Sequence, residues 1–379
     1  MNQNEIGVYV HFPYCERKCP YCDFNSHVTT SIEHQRFLDA YKKDFDYFFN
    51  KLKEIPKLIS IFFGGGTPSL MQPFVTNEII DYICQQFKTN KNNIEITLEA
   101  NPSSFEVKKF KDFKESGINR ISIGVQSFVE EDLKKLGRLH NSPQAKNAIT
   151  KAREIFDRLS FDLIYARENQ KIPQWKEELE FALKQFNPQH ISLYSLTIEK
   201  GTEFFKLHQD GKLTIPQNQE DFYETTNEIC SKHGLNRYEI SNYAKNGNEC
   251  IHNISYWTGK QYIGIGPGAH GRIETNEGRI ATMNVNSPEK YLKSIETHGN
   301  AVQTFEILDD EKIAWELIST GLRTVYGFQL NTITHKFTDA QKVETLVNEG
   351  LLIRSKTHII PTEKGLSLCD GITKFIFDN

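Results

Sequence analysis

The chain has 379 residues, 38% hydrophobic, 12% aromatic and 25% charged, a composition that supports a packed core and excludes wholesale disorder or a collagen-like chain. Lys plus Arg number 45 against 49 Asp plus Glu, a formal net charge of −4, so no basic excess exists to hold a phosphate backbone and nucleic acid is not an expected partner. No apolar run is long enough to span a bilayer, and MNQNEIGVYVHFPYC lacks the basic-then-apolar pattern of a secretory signal, so the cytoplasm is the expected compartment.

GVYVHF (7–12) reads as a strand that runs straight into a cysteine-rich loop. A helix is expected over 31–53, with Phe37, Leu38, Tyr41, Phe45, Phe48 and Phe49 at helical spacing. LISIFF (58–63) is an apolar strand ended by GGGTP, and 76–88 is helical. IEITLEA (94–100) is a strand stopped by Asn101–Pro102, followed by a helix over 104–116 with Gly117 as its cap. RISIGVQ (120–126) is a strand, and SPQAKNAITKAREIF is a helix opened by a Ser cap. FDLIY (161–165) and HISLYSL (190–196) are strands flanking a helix at 173–186. Such alternation predicts a parallel sheet with crossover helices, apolar on both faces, as either a β/α barrel or a doubly wound sheet. The cysteine loop, GGGTP and Glu99 all fall at C-terminal strand ends, where parallel α/β folds place their chemistry. Beyond residue 200 a helix is expected at 217–233, then a Gly- and aromatic-rich stretch at 250–272. Helices at 309–323 and 338–349 before GLLIRSKTHIIPTEKGLSL have a winged-helix layout, read as structural because no basic recognition face accompanies it. The expected domains are 1–235, a connecting segment 236–304, and 305–379.

Seven cysteines, an odd number without a signal peptide, do not make a disulfide framework. Cys84, Cys230, Cys250 and Cys369 are scattered and read as small buried hydrophobes. Cys15, Cys19 and Cys22 form CERKCPYC, spaced C-x3-C-x2-C. Three thiolates on one loop can serve a cubane 4Fe–4S cluster while leaving one iron open to an outside ligand. A zinc site completed by a distant Cys or His is the alternative.

CERKCPYC resembles the hallmark of the radical S-adenosylmethionine (SAM) superfamily. GGGTP, LEANP, GVQSF, LGRLH and DLIY follow in that order, and together they resemble the HemN/HemW family over almost the whole chain. The resemblance implies an α/β fold: a partial (β/α)6 barrel with a C-terminal α+β extension ending in a winged-helix-like subdomain, carrying a 4Fe–4S cluster and SAM. Cys15, Cys19 and Cys22 match the cluster ligands. Tyr9, Tyr21, Gly64, Gly65, Gly66, Thr67, Glu99, Gln126, Arg138 and Asp162 match positions around SAM. Taken alone, the glycines would be a tight strand–helix turn, and the lone Gln, Arg or Asp a cap or a solvated side chain. Relatives commonly continue DLIYGLP where this chain reads DLIYARENQ, which bears on the loop after Asp162.

Two branches share these motifs. The oxidase branch, which acts on coproporphyrinogen III, has a fourth Cys two residues after the third and an N-terminal extension; here that position is Phe24. The heme-chaperone branch carries H-N-x-x-Y-W, matched by HNISYW with His252, Asn253, Tyr256 and Trp257. The resemblance therefore implies heme as cargo, with recipient hemoproteins as partners, membrane respiratory cytochromes among them, and it allows a homodimer. An imidazole can ligate heme iron and aromatic faces can pack on a porphyrin. The residues alone allow His252 to be a satisfied polar group beside packed aromatics. His270 in GPGAH and Cys250 are further candidates.

Overall fold

The computed structural model describes residues 4–377, so the outermost ends of the expected domains lie outside the described residues. Six parallel strands, β1 (Glu5–Phe12), β2 (Lys57–Gly65), β3 (Glu95–Ala100), β4 (Arg120–Gln126), β5 (Arg158–Tyr165) and β6 (His190–Ser195), pair in sequential order. A doubly wound sheet needs a reversal of strand order. None occurs between β1 and β6, so the sheet curls one way, as a barrel does. It stays open, because β1 pairs on its far side with another strand and β6 pairs antiparallel with β8 (Asn242–Ala244).

That other strand is β9 (Gln261–Ile265), parallel to β1, and it leads into the antiparallel run β10 (His270–Thr275), β11 (Gly278–Asn284) and β12 (Val302–Ile307). With β7 (Asn236–Arg237) at the opposite edge, one twelve-stranded sheet runs β12-β11-β10-β9-β1-β2-β3-β4-β5-β6-β8-β7.

The expectation of two apolar sheet faces is corrected. Side chains alternate along a strand. Ile96, Leu98, Ile121, Ile123, Phe161, Leu163, Ile191 and Leu193 face the helices and join the main core. The alternate set (Thr97, Glu99, Arg120, Ser122, Ser160, Asp162, His190 and Ser192) faces inward and is polar. Several of them bond one another: Ser122 donates to Asp162 Oδ1 (3.2 Å), and His190 Nδ1 meets Ser160 Oγ (2.7 Å). A short polar residue inside an apolar run hides in a sequence scan but lines a barrel.

The helices bury one stripe each. In α1 (His34–Phe49) Phe37, Leu38, Tyr41, Phe45 and Phe48 are buried, as the periodicity predicts. The expected helix at 104–116 is broken into α2 (Ser104–Val107) and α3 (Phe110–Glu115). Glu106 turns inward there, accepting from the Asn101 N–H (2.8 Å) and from Ser69. The helix Ser142–Ile155, α4, is capped by Asn141 and not by Ser142: Asn141 Oδ1 accepts from Gln144 N (2.9 Å) and Gln144 answers, a capping box. The last unit has its own core, including Ile318, Leu322, Phe328, Leu352, Ile359 and Ile372. Its helices α5 (Asp310–Gly321) and α6 (Ala340–Asn348) pack with a three-stranded antiparallel sheet, the winged-helix layout expected. No helix among the described residues is long and apolar enough to cross a membrane.

Asp44 on α1 pins the extension to the barrel. Its Oδ2 accepts from Gly266 N (2.9 Å), Asn284 Nδ2 (2.8 Å) and Tyr291 OH (2.8 Å). Burial outweighs these three bonds and lifts the carboxyl from 3.8 to about 7. The folded state then holds this proton more tightly than the unfolded chain. Stability should fall as pH rises from about 4 to about 7, by at most ~1.4 kcal/mol per pH unit. Asp44→Asn should remove that decline in urea titrations across this range; an unchanged slope would show that Asp44 does not carry it.

Candidate functional site

Cys15, Cys19 and Cys22 line a cavity of about 340 Å³ at the C-terminal ends of the parallel strands. The GGGTP loop fastens their loop to the barrel. Gly66 N donates to Phe12 O (2.7 Å) and Thr67 N to Tyr14 O (2.8 Å), continuing the β1–β2 pairing into the loop. The glycines are needed for this approach: a Cβ on Gly66 would lie 2.6 Å from Tyr14 O, and one on Gly65, at φ +111°, 2.8 Å from Phe12 O. On the far side Asn25 Nδ2 donates to Pro267 O and Asn286 O, both 2.9 Å, so the GPGAH segment holds the tail of the cysteine loop.

Side-chain donors reach two of the three sulfurs. Thr67 Oγ1 donates to Cys15 Sγ (3.4 Å) and Arg138 Nη1 to Cys19 Sγ (3.4 Å). Asn101 joins these donors: its Nδ2 donates to Thr67 Oγ1 (3.0 Å) and its Oδ1 accepts from Arg138 Nη2 (2.6 Å). The chain Cys15–Thr67–Asn101–Arg138–Cys19 fixes two thiols relative to each other. Donors aimed at sulfur are a lever on the potential of a thiolate-held cluster. Burial pushes the Cys15 and Cys22 thiols up, and a bound metal centre would supply the positive charge that holds them as thiolates. This donor set, three thiols on the rim of a cavity with outside hydrogen bonds to sulfur, fits a 4Fe–4S cluster. Sequence reading passed over Asn101, although it stands in the quoted LEANP motif.

The cavity wall carries Tyr21, Gly65, Gly66, Thr67, Glu99, Gln126, Arg138 and Asp162, which were scattered over more than 140 residues of sequence. Glu99 Oε2 accepts from Gly65 N (3.2 Å). Burial, with Asp162 nearby, pushes Glu99 up to about 8, and burial lifts Asp162 to about 6. Two desolvated carboxyls on one wall favour a ligand that brings positive charge and hydroxyl donors. SAM, with its ammonium, sulfonium and ribose, is such a ligand. Gln126 is held at φ +69° at a break in the β4–β5 register, the kind of backbone strain that clusters at binding sites. Tyr9 is not on the wall. It lies beneath Gly64 and Glu99, its hydroxyl bonded to His11 Nδ1 (3.0 Å).

HNISYW forms a short helix, Ile251–Trp257, whose motif residues part company. Asn253, Tyr256 and Trp257 line a second cavity of about 780 Å³ at the open side of the barrel. His252 does not: it is 1% exposed and belongs to the barrel floor. Its Nδ1 meets Ser60 Oγ (2.8 Å), its backbone N–H donates to Glu95 Oε1 (3.0 Å), and its ring stacks on Phe62 (5.0 Å). Burial and Arg120 push the imidazole down to about 3, so it is neutral. His252 lines neither cavity in this conformation, because the inward alternation of β1–β3 leaves a space at the floor that the ring fills. Cys250 is buried beside it, donating to Glu95 (3.4 Å), and His270 is exposed and lines neither cavity.

The model of the Radical SAM superfamily matches residues 9–182. Radical S-adenosyl methionine domain-containing protein 1, mitochondrial, of Danio rerio is 36% identical over 88% of this chain and 74% of its own length. Heme chaperone HemW of Bacillus subtilis is 34% identical over 95% of this chain and 96% of its own. The solved structure of the coproporphyrinogen III oxidase HemN from Escherichia coli superposes with a TM-score of 0.78 at 21% identity, over 98% of this chain and 89% of that one, a likeness of fold. With the cysteine loop, the GGGTP clasp and the carboxylate-lined cavity in register along a sequential parallel barrel, this chain belongs to the radical SAM superfamily, in the group that includes the heme chaperone HemW.

Proposed function

We propose that the protein is a heme chaperone built on a radical SAM core: it binds heme and passes it to recipient hemoproteins. The observation that carries this is the end-to-end match to HemW, together with HNISYW and the replacement of the oxidase branch's fourth cysteine by Phe24. Cys15, Cys19 and Cys22 hold a 4Fe–4S cluster, and Glu99, Gln126, Arg138 and Asp162, with Tyr21 and the Gly65–Thr67 loop, hold SAM. When bound, the cluster and SAM supply one-electron chemistry. Around them the chain's own residues position and shield: Thr67 and Arg138 bond two sulfurs, Asn101 sets those donors, and Tyr9 and His11 support the wall from below. Heme is cargo, recipients include respiratory cytochromes at a membrane, and the chaperone itself works from the cytoplasm and can form a homodimer.

The test is a paired assay on anaerobically reconstituted protein. Hemin titration should give a saturable shift of the Soret band. Incubation of coproporphyrinogen III with SAM and a reductant should leave it unconverted. Formation of protoporphyrinogen would overturn the chaperone reading in favour of the oxidase.

A further inference from the structure

The second cavity lies where the barrel fails to close. One wall is the β6 side, with Tyr194 and the turn Glu239–Asn242; the other is β9 to β11, with Tyr262, Arg272 and Arg279. Asn253, Tyr256 and Trp257 form the floor, and Trp315 and Glu316 on Asp310–Gly321 cover the outside. At about 780 Å³ it falls within the size range of small-molecule and cofactor pockets, roughly 300–1,000 Å³.

Its chemistry is divided. Tyr256, Trp257, Tyr262 and Trp315 supply flat apolar faces, with the Tyr256 and Tyr262 rings 4.1 Å apart. Two guanidinium groups stand at one edge. Arg279 is held by Glu274 Oε1 (3.1 Å) and Gly259 O (3.0 Å), yet its Nε is buried and has no partner. A buried donor left over in a native structure calls for an acceptor. Arg272 grips the Glu316 carboxylate with Nε (2.9 Å) and Nη2 (2.7 Å). That two-pronged geometry is the one a guanidinium offers to any carboxylate.

We propose that this slot is where heme is held, with its two propionates taken by Arg272 and Arg279, and with Glu316 as the carboxylate that keeps Arg272 occupied until a propionate replaces it. The proposal rests on the heme-binding reading and adds its location and its anion partners. Flat aromatic walls with a pair of cations at one edge match a planar tetrapyrrole dicarboxylate. Among the described residues no His, Cys or Met lines the slot, and His252 is sealed behind Tyr256, whose ring meets it edge-on at 4.8 Å. The iron ligand on offer is a phenol oxygen, with Tyr262 flanked by both arginines. Because Glu316 belongs to the helix Asp310–Gly321, cargo entry loosens the ion pair that ties the C-terminal unit to β10.

The experiment titrates full-length, cluster-loaded protein with hemin and with hemin dimethyl ester, whose carboxylates are masked. Wild type should prefer hemin. Arg272→Met should weaken hemin by about tenfold, the scale of one charge-assisted hydrogen bond, and leave the ester unchanged. Glu316→Gln should strengthen hemin severalfold, because a competitor is removed. The opposite signs are decisive: both substitutions break the same ion pair, so a purely structural pair would move affinity the same way in both. Arg279→Met gives an independent arm should Arg272→Met fold poorly, with the same loss expected for hemin alone. Equal binding of hemin and ester, or variants that shift together, overturns the slot while leaving heme binding intact. Failure of wild type to bind hemin at all overturns the heme reading and this proposal with it.

Discussion

Protein carrying Cys19→Ala is expected to hold no iron or sulfide and to show none of the visible absorbance of a 4Fe–4S cluster. Three thiolates are the whole sulfur set that the loop offers, and two cannot anchor a cubane while leaving only one corner open. The loop itself should survive the change. It is held by backbone pairs from Gly66 and Thr67 to Phe12 and Tyr14, by Cys22 N donating to Cys19 O (3.1 Å), and by Asn25 bonded to Pro267, none of which uses the Cys19 side chain. Arg138 loses one acceptor but keeps Asn101 and Gly124. Iron and sulfide analysis after anaerobic reconstitution, with circular dichroism as the folding control, decides the matter. Wild-type iron and sulfide in the variant would refute the ligand assignment. Zinc in the wild-type protein would replace the cluster reading altogether.

Arg167→Met is expected to cost about 3–5 kcal/mol of stability, the penalty for breaking a buried ion pair by removing one partner. Arg167 is 3% exposed. It pairs with Glu178 and with Asp132 (3.0 Å) and donates to Ile164 O (2.8 Å). Glu178 in turn accepts from Ser127 Oγ (2.6 Å) and Phe128 N (2.8 Å), so its charge stays buried after the arginine is gone. Urea titration measures the loss; a midpoint within error of wild type would show the pair to be dispensable. This residue also answers the departure at DLIYARENQ. Ala166 stands at φ +54°, the left-handed region that suits glycine and costs another residue about 1–2 kcal/mol. The loop thus keeps a glycine-like turn without a glycine, and the Arg167 network locks it. Asp162, four residues upstream on β5, keeps its place on the cavity wall.

Much of the site was legible because its signals are local or repeated in order. C-x3-C-x2-C places three sulfurs within eight residues whatever the rest of the chain does. GGGTP and Glu99 were placed at strand ends by apolar runs that stop abruptly. Asn101 was missed because an Asn before Pro reads first as a strand stop, and its bonds to Thr67 and Arg138 span 34 and 37 residues. The placement of His252 was not legible for a related reason. A motif gives residue order, while burial depends on what packs against it, here Ser60, Phe62 and Glu95 from strands about 160 to 190 residues away.

By itself, the amino-acid sequence determined the strand–helix alternation, the C-terminal layout and the cysteine loop, since each follows from periodicity or spacing within a few turns of chain. Only the tertiary structure decided that the barrel interior is polar, that Gln261–Ile265 docks parallel to β1, and that Arg272, Arg279 and Glu316 meet beside Trp257. The physical reason is range. Side-chain period is written into neighbouring residues, whereas the partner of a strand edge is chosen by closure of the chain over some 250 residues, as between Ile6 and Gln261.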